Sequence, residues 1–172
     1  MKVGAGKGRG LQIRLLGEIA LYRNGRALPL PPSKKTRALL AYLAATGKPQ
    51  LREHLCALLW DGPDDPRAQL RWSLSKLRPL LDEAKSRRLR ADRERIVLEV
   101  GDVDLDVEGI QTAMRQGLAD ITTEALAELA TRFAGTFLDG LDLSSCYRFH
   151  GWCVAQREQL HAEHVTVVTT LI

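Results

Sequence analysis

Between Pro66 and Leu81 the chain reads PRAQLRWSLSKLRPLL, a stretch in which Gln69, Arg71, Trp72, Ser75, Lys76 and Arg78 alternate with leucines. These are residue types that read nucleic acid: lysine donates to guanine O6 or N7, serine and glutamine bond to base edges or phosphate, and an indole packs on thymine methyls. At 100° per residue, with Leu70 at zero, Leu74, Leu77 and Leu81 fall within about 40° of it, whereas Trp72, Ser75 and Lys76 lie roughly opposite, at about 140° to 240°. A helix here buries its leucines and points an indole at water. Arg71 and Arg78 fall between the two faces, where a backbone phosphate would sit. Pro79 removes a helical hydrogen bond and crowds the Ser75 carbonyl, so it marks a bend or the last turn.

The surrounding elements must hold that face outward. Asp65 is placed to cap the helix and Pro66 suits its first position. Upstream, LQIRLLGEIALYRNGRALPLPP carries short apolar runs around Asn24-Gly25, the dipeptide of a tight hairpin turn, which predicts a small antiparallel sheet. Ser33 then caps a first helix containing Leu39, Leu40 and Leu43, with Gly47 just past its end. A second, short helix over QLREHLCALLW carries Leu51, Leu55, Leu58 and Leu59 on its apolar face. Downstream, RRLRADRERIVLEV predicts two strands folded back around Asp92 to Glu94.

Sheet, three helices and a hairpin follow the order of a winged helix-turn-helix, in which the third helix enters the major groove and the hairpin lies along the neighbouring backbone. The hairpin holds Arg87, Arg88, Arg90, Arg93 and Arg95. A wing so placed sends Arg90, Arg93 and Arg95 to phosphates or an adjacent minor groove, with Arg93 nearest the tip. Lys34, Lys35 and Arg37 open the first helix, in position to touch the flanking DNA backbone.

Charge divides the chain in the same sense. Up to Gly101 there are 21 Lys/Arg against 10 Asp/Glu, a net +11, and beyond it 4 against 11, a net −7, within the +4 of the whole. Two domains with different partners follow from that asymmetry. The 172 residues, 45% of them hydrophobic, are enough for one or two modest cores. Cys56, Cys146 and Cys153 form no closely spaced even framework, which predicts reduced thiols and a cytoplasmic protein. The basic start MKVGAGKGRG is followed by no apolar targeting segment, and no run approaches the ~20 apolar residues that span a bilayer, so no membrane partner is expected.

Other chemistries fit less well. Cys146, His150, Cys153, His161 and His164 invite a zinc or nucleophile reading, but Cys-x₆-Cys-x₇-His-x₂-His matches no compact zinc pattern. Cys153 and Trp152 suit packing within a helical domain. GAGKGRG is no phosphate-binding loop, since no strand precedes it and Arg9 stands where a hydroxyl would bond magnesium. Neither a metal, a cofactor nor an enzymatic activity is expected.

The combination of the opening strands, the R-x-LLAYLA helix, the LxxxLW ending of the second helix and L-R-x-x-L-S-K-L-R-x-L-L resembles the DNA-binding domain of SARP-type (antibiotic regulatory protein type) bacterial activators over about residues 11–100. That resemblance implies an OmpR-like winged helix over 11–101, preceded by a flexible basic arm over 1–10. Beyond Gly101, VDLDVEGIQTAMRQG and LAELATRFAGTFLDGLDLSSCYRFHGWCVAQREQLHAEHVTVVTTLI look like the start of the bacterial transcriptional activation domain, which implies a helical, tetratricopeptide-like module over 102–172. Apolar spacing independently predicts helices over Thr122 to Phe133 and Trp152 to Leu171. Helical repeats need neighbours and a capping end, so the resemblance makes these residues the front of a longer regulator.

The resemblance implies a mainly α protein with small β sheets that activates transcription. It would bind double-stranded DNA near a promoter, as side-by-side protomers on direct repeats that form a homodimer on DNA, and recruit RNA polymerase. The polymerase-facing loop would comprise Trp60, Asp61, Asp64 and Asp65. The competing reading is a helical interaction module whose winged domain binds protein and not DNA. Trp72 with Lys76 on one helix face, followed by an arginine-rich hairpin, separates the two, because groove binding explains both together.

Overall fold

Asn24 and Gly25 adopt φ angles of 52° and 78°, the pair of left-handed conformations that a two-residue hairpin needs. The computed structural model describes residues 10–62 and 64–172; the arm expected over 1–10 lies outside them except for Gly10. Around the turn, β1 (Leu11–Arg14), β2 (Ala20–Arg23) and β3 (Arg26–Leu28) form antiparallel neighbours. Leu11 and Ile13 point into the core while Gln12 and Arg14 alternate outward.

Helix α1 (Lys34–Thr46) starts at Ser33, whose hydroxyl accepts from the Thr36 N–H at 3.3 Å, and ends at Gly47, whose N–H bonds to Leu43. Ala38 to Ala44 are all buried, too wide a band for a helix with one covered side; α1 is the central helix and has neighbours around it. The second helix begins later than the leucine spacing predicts. Gln50 and Leu51 form strand β4 (Gln50–Leu51), which leaves Leu51 exposed, and α2 runs over Arg52–Leu59. The physical reason is pairing: β4 closes a three-stranded sheet in the order β4-β6-β5 with β5 (Leu89–Ala91) and β6 (Arg95–Leu98), the two strands of the predicted hairpin.

Helix α3 spans Pro66–Leu81 as its sequence requires. The Asp65 carboxylate accepts from the N–H groups of Arg67 and Ala68, both at 3.1 Å. Pro79 sits in the last turn. The Thr36 and Ser73 hydroxyls bond to each other at 2.9 Å between α1 and α3, so two buried polar groups satisfy one another.

The cut in charge at Gly101 is not a cut in the core. Strand β7 (Asp104–Leu105) pairs parallel with β1 and completes a sheet ordered β3-β2-β1-β7. Helix α4 (Asp106–Gln116) follows, and the Asp106 carboxylate at its start accepts from the N–H groups of Leu15, Leu16 and Val107 at 2.9 to 3.0 Å. Helix α5 (Thr123–Thr131) is capped by Thr122, and α6 (Tyr147–Leu171) starts five residues earlier than predicted. The segment between them presses on the turn after β1: Gly17 donates to Thr136 at 2.8 Å and Leu138 to Leu15 at 2.8 Å. A Cβ at Gly135 would lie 3.1 Å from the Gly17 Cα, and its φ of 106° already favours glycine. Trp152 of α6 meets Tyr42 of α1 edge-on at 4.8 Å between centroids, and the Cys146 thiol donates to the Leu59 carbonyl at the end of α2 at 3.4 Å. The basic and acidic halves therefore share a single buried cluster.

Candidate nucleic-acid interface

Four leucines of α3, Leu70, Leu74, Leu77 and Leu81, are buried, each contributing about 2 kcal/mol relative to exposure. That stripe fixes the helix rotation and leaves Trp72 46% exposed. Lys76 folds back over the indole, its Nζ 5.5 Å from the ring centroid, in a cation–π contact. The Ser75 hydroxyl donates to the Trp72 carbonyl at 2.6 Å, and Gln69 and Arg71 are exposed beside them. The outward face thus gathers an aromatic plane, a lysine, a hydroxyl and an amide on one helix.

The wing stands next to it. Its tip is a tight turn in which the Asp92 carboxylate accepts from the N–H groups of Glu94 and Arg95, each at 2.7 Å, and those hydrogen bonds hold its pKa below the usual range. Arg93 projects from this tip, exposed. Arg52, at the start of α2, binds the tip twice: its N–H donates to the Glu94 carbonyl and its Nε to the Asp92 carbonyl, both at 2.8 Å. An open cleft of about 690 Å³ separates wing and helices, bounded by Arg52 and Glu53 of α2, Arg67 and Arg71 of α3, and Arg93 of the wing. Arg71 and Arg93, 22 residues apart in sequence, thus line one groove. Among the described residues, no carboxylate pairs with either of them. Arg52 and Arg67 were missed from sequence, because their roles depend on the wing tip folding against α2.

Other candidates are placed differently. Arg78 donates to the Leu89 carbonyl at 3.0 Å and lies 3.6 Å from Asp82, fastening α3 to the base of the wing. Arg88 is no surface residue: it is 4% exposed, donates to the Leu81 carbonyl at 2.8 Å and pairs with Asp102 at 2.8 Å. Arg90 pairs across the strands with Glu99 at 3.1 Å, while Arg87 and Arg95 are exposed. On α1, Lys34 is exposed and Lys35 half-buried, and Arg37 spends its Nε on the Pro31 carbonyl at 2.7 Å.

The loop expected to face polymerase is corrected at Trp60. That indole is 8% exposed and belongs to the core, because Trp60 ends α2 with its N–H bonded to Cys56 and its side chain carried inward. Asp61, Asp64 and Asp65 are exposed, with the Asp65 carboxylate engaged in the cap of α3.

The cysteine–histidine set is dispersed in function. Burial pushes the Cys153 thiol up to about 11, which keeps it protonated and poorly nucleophilic. His164 stacks on Phe133 at 4.6 Å between centroids. Among the described residues no three His, Cys, Asp or Glu side chains lie within reach of a shared metal ion, and no helix is long and apolar enough to cross a membrane.

No protein-family model and no curated protein matches this chain. A solved structure, Mycobacterium tuberculosis EmbR in complex with low affinity phosphopeptide, is similar to it with a TM-score of 0.67 and 23% sequence identity. The two share a fold. The match covers 90% of this chain and 43% of that one, so the chain spans less than half the length of that protein.

Proposed function

We propose that this chain is a sequence-specific DNA-binding transcriptional regulator of the SARP kind, an activator and not an enzyme, working in the cytoplasm. Helix α3 enters the major groove, where Gln69, Trp72, Ser75 and Lys76 meet base edges and Arg71 a phosphate. The wing follows the adjoining backbone through Arg93 and Arg95, and Lys34 reaches a flanking phosphate. Protomers sit side by side on direct repeats, and Asp61 and Asp64 offer acidic contacts to RNA polymerase. The tetratricopeptide-like reading of α4 to α6 belongs to the same proposal.

The observation that carries this reading is the joint placement of the exposed Trp72–Lys76 face and the Arg71–Arg93 groove beside it. A protein-binding winged domain accounts for the basic face through an acidic partner, but groove binding explains the Trp72–Lys76 helix face and the arginine-bearing wing together. Titration of the chain into a selected duplex pool across a salt series tests it. Nanomolar affinity falling steeply with salt is the expected result. Binding no tighter than the nonspecific ~10⁻⁴ to 10⁻⁶ M range at physiological salt overturns it in favour of the interaction module.

A further inference from the structure

Helix α6 has an apolar stripe that the rest of the chain covers and a second, mixed stripe of valines around two ionisable residues that it leaves exposed. Phe149, Cys153, Leu160 and Val167 are buried against the rest of the molecule. About 140° around the helix, Val154, Glu158, His161, Val165, Val168 and Ile172 recur at alternating intervals of four and three and are all exposed, the three valines at 37 to 51%. Intervals of four and three are the spacing of a coiled-coil seam. Four of these six are apolar, where a one-sided surface helix would carry mostly polar residues.

The stripe is also symmetric about its own middle. Reversing the helix about a point midway between Glu158 and His161 brings Val154 onto Val165, Gly151 onto Val168 and Tyr147 onto Ile172. It also brings Glu158 onto His161, the two ionisable residues of the stripe, which have opposite charge tendencies. We propose that this face pairs antiparallel with the same face of a second copy of the chain, about a twofold axis between Glu158 and His161. Each Glu158 then meets the partner's His161 at the centre, with valines packed on either side. Such a contact is isologous and closes at two copies, unlike the head-to-tail neighbours of a direct repeat, and it does not depend on DNA binding.

Sedimentation equilibrium of the whole chain tests the proposal. A mass twice the 19.1 kDa of one chain is expected to emerge between about 1 µM and about 1 mM. His161→Glu crowds four carboxylates at the axis and is expected to weaken the dimer at least tenfold. The exchange variant E158H/H161E keeps two acids and two imidazoles there and restores it, an outcome that a general packing defect would not produce. Orientation is read by oxidation: V154C/V165C cross-links between chains, whereas V165C alone does not. The native cysteines are all buried and stay silent. A monomer throughout that range overturns the proposal, leaving the face to a further helix of a longer chain or to a partner of other chemistry. So does a dimer indifferent to His161→Glu, or a cross-link formed by V165C alone.

Discussion

Trp72 and Lys76 hold each other before any ligand arrives. A lysine stacked over an indole has given up some freedom already, so less is lost when its ammonium turns to a base edge. Lys76→Ala is therefore expected to relax discrimination at one base position by about 1–3 kcal/mol. Arg93→Ala is expected to weaken binding evenly across sequences and lower the salt slope by about 1. Competition titrations over single-base variants of the best site, repeated at several salt concentrations, separate these effects. Sequence alone reveals the outward face of α3, because four leucines at helical spacing fix its rotation. It does not reveal that Arg78 and Arg88 are structural. An arginine's long stem reaches either phosphate or a nearby carbonyl, and only the folded wing says which.

At the scale of elements, the wing is attached by ion pairs where a longer hairpin would use more strand. Arg88 holds the Asp102 carboxyl below its ordinary range, first by hydrogen bonding and then by charge. A carboxyl depressed in the folded state stabilises the protein above its unfolded pKa, about 3.9, and loses that contribution as pH falls through the lower folded value. Asp102→Asn is expected to cost about 1–2 kcal/mol at neutral pH, toward the lower end because the Asp102 side chain is half-exposed. Urea titrations from neutral pH down to the acid limb should show the gap between variant and parent narrowing as pH falls below the ordinary carboxylate range. Strand β4 escapes a sequence reading because two residues give no alternation to detect, and Leu51 reads as one more leucine of α2 until its partner β6 is in place.

Across the whole molecule, the charge split coexists with a continuous core. The Tyr42–Trp152 contact, the Cys146–Leu59 bond and the β1–β7 pairing join the +11 region to the −7 region. A molecule so divided carries a dipole, which orients its basic side toward a polyanion during approach. Trp152→Ala removes an indole that also touches Phe137 and Phe149 and is expected to cost about 3–5 kcal/mol. Both halves should lose it together, as one cooperative thermal transition at a lower midpoint by calorimetry. Composition and helical spacing show where the charge changes sign and that helices follow. Pairing of two-residue β7 with β1 across 90 residues leaves no local trace, so the continuity of the core emerges only in three dimensions.

The three tryptophans have unequal surroundings: Trp60 is buried, Trp152 is partly buried against three aromatic rings, and Trp72 is the most exposed, facing solvent from α3. The long-wavelength edge of the chain's ultraviolet emission therefore originates mostly from one indole, and a soluble quencher will reach that indole first. Anything that settles on the α3 face dries and shields it. The protein carries, at the position proposed to read DNA, its own optical gauge of occupancy.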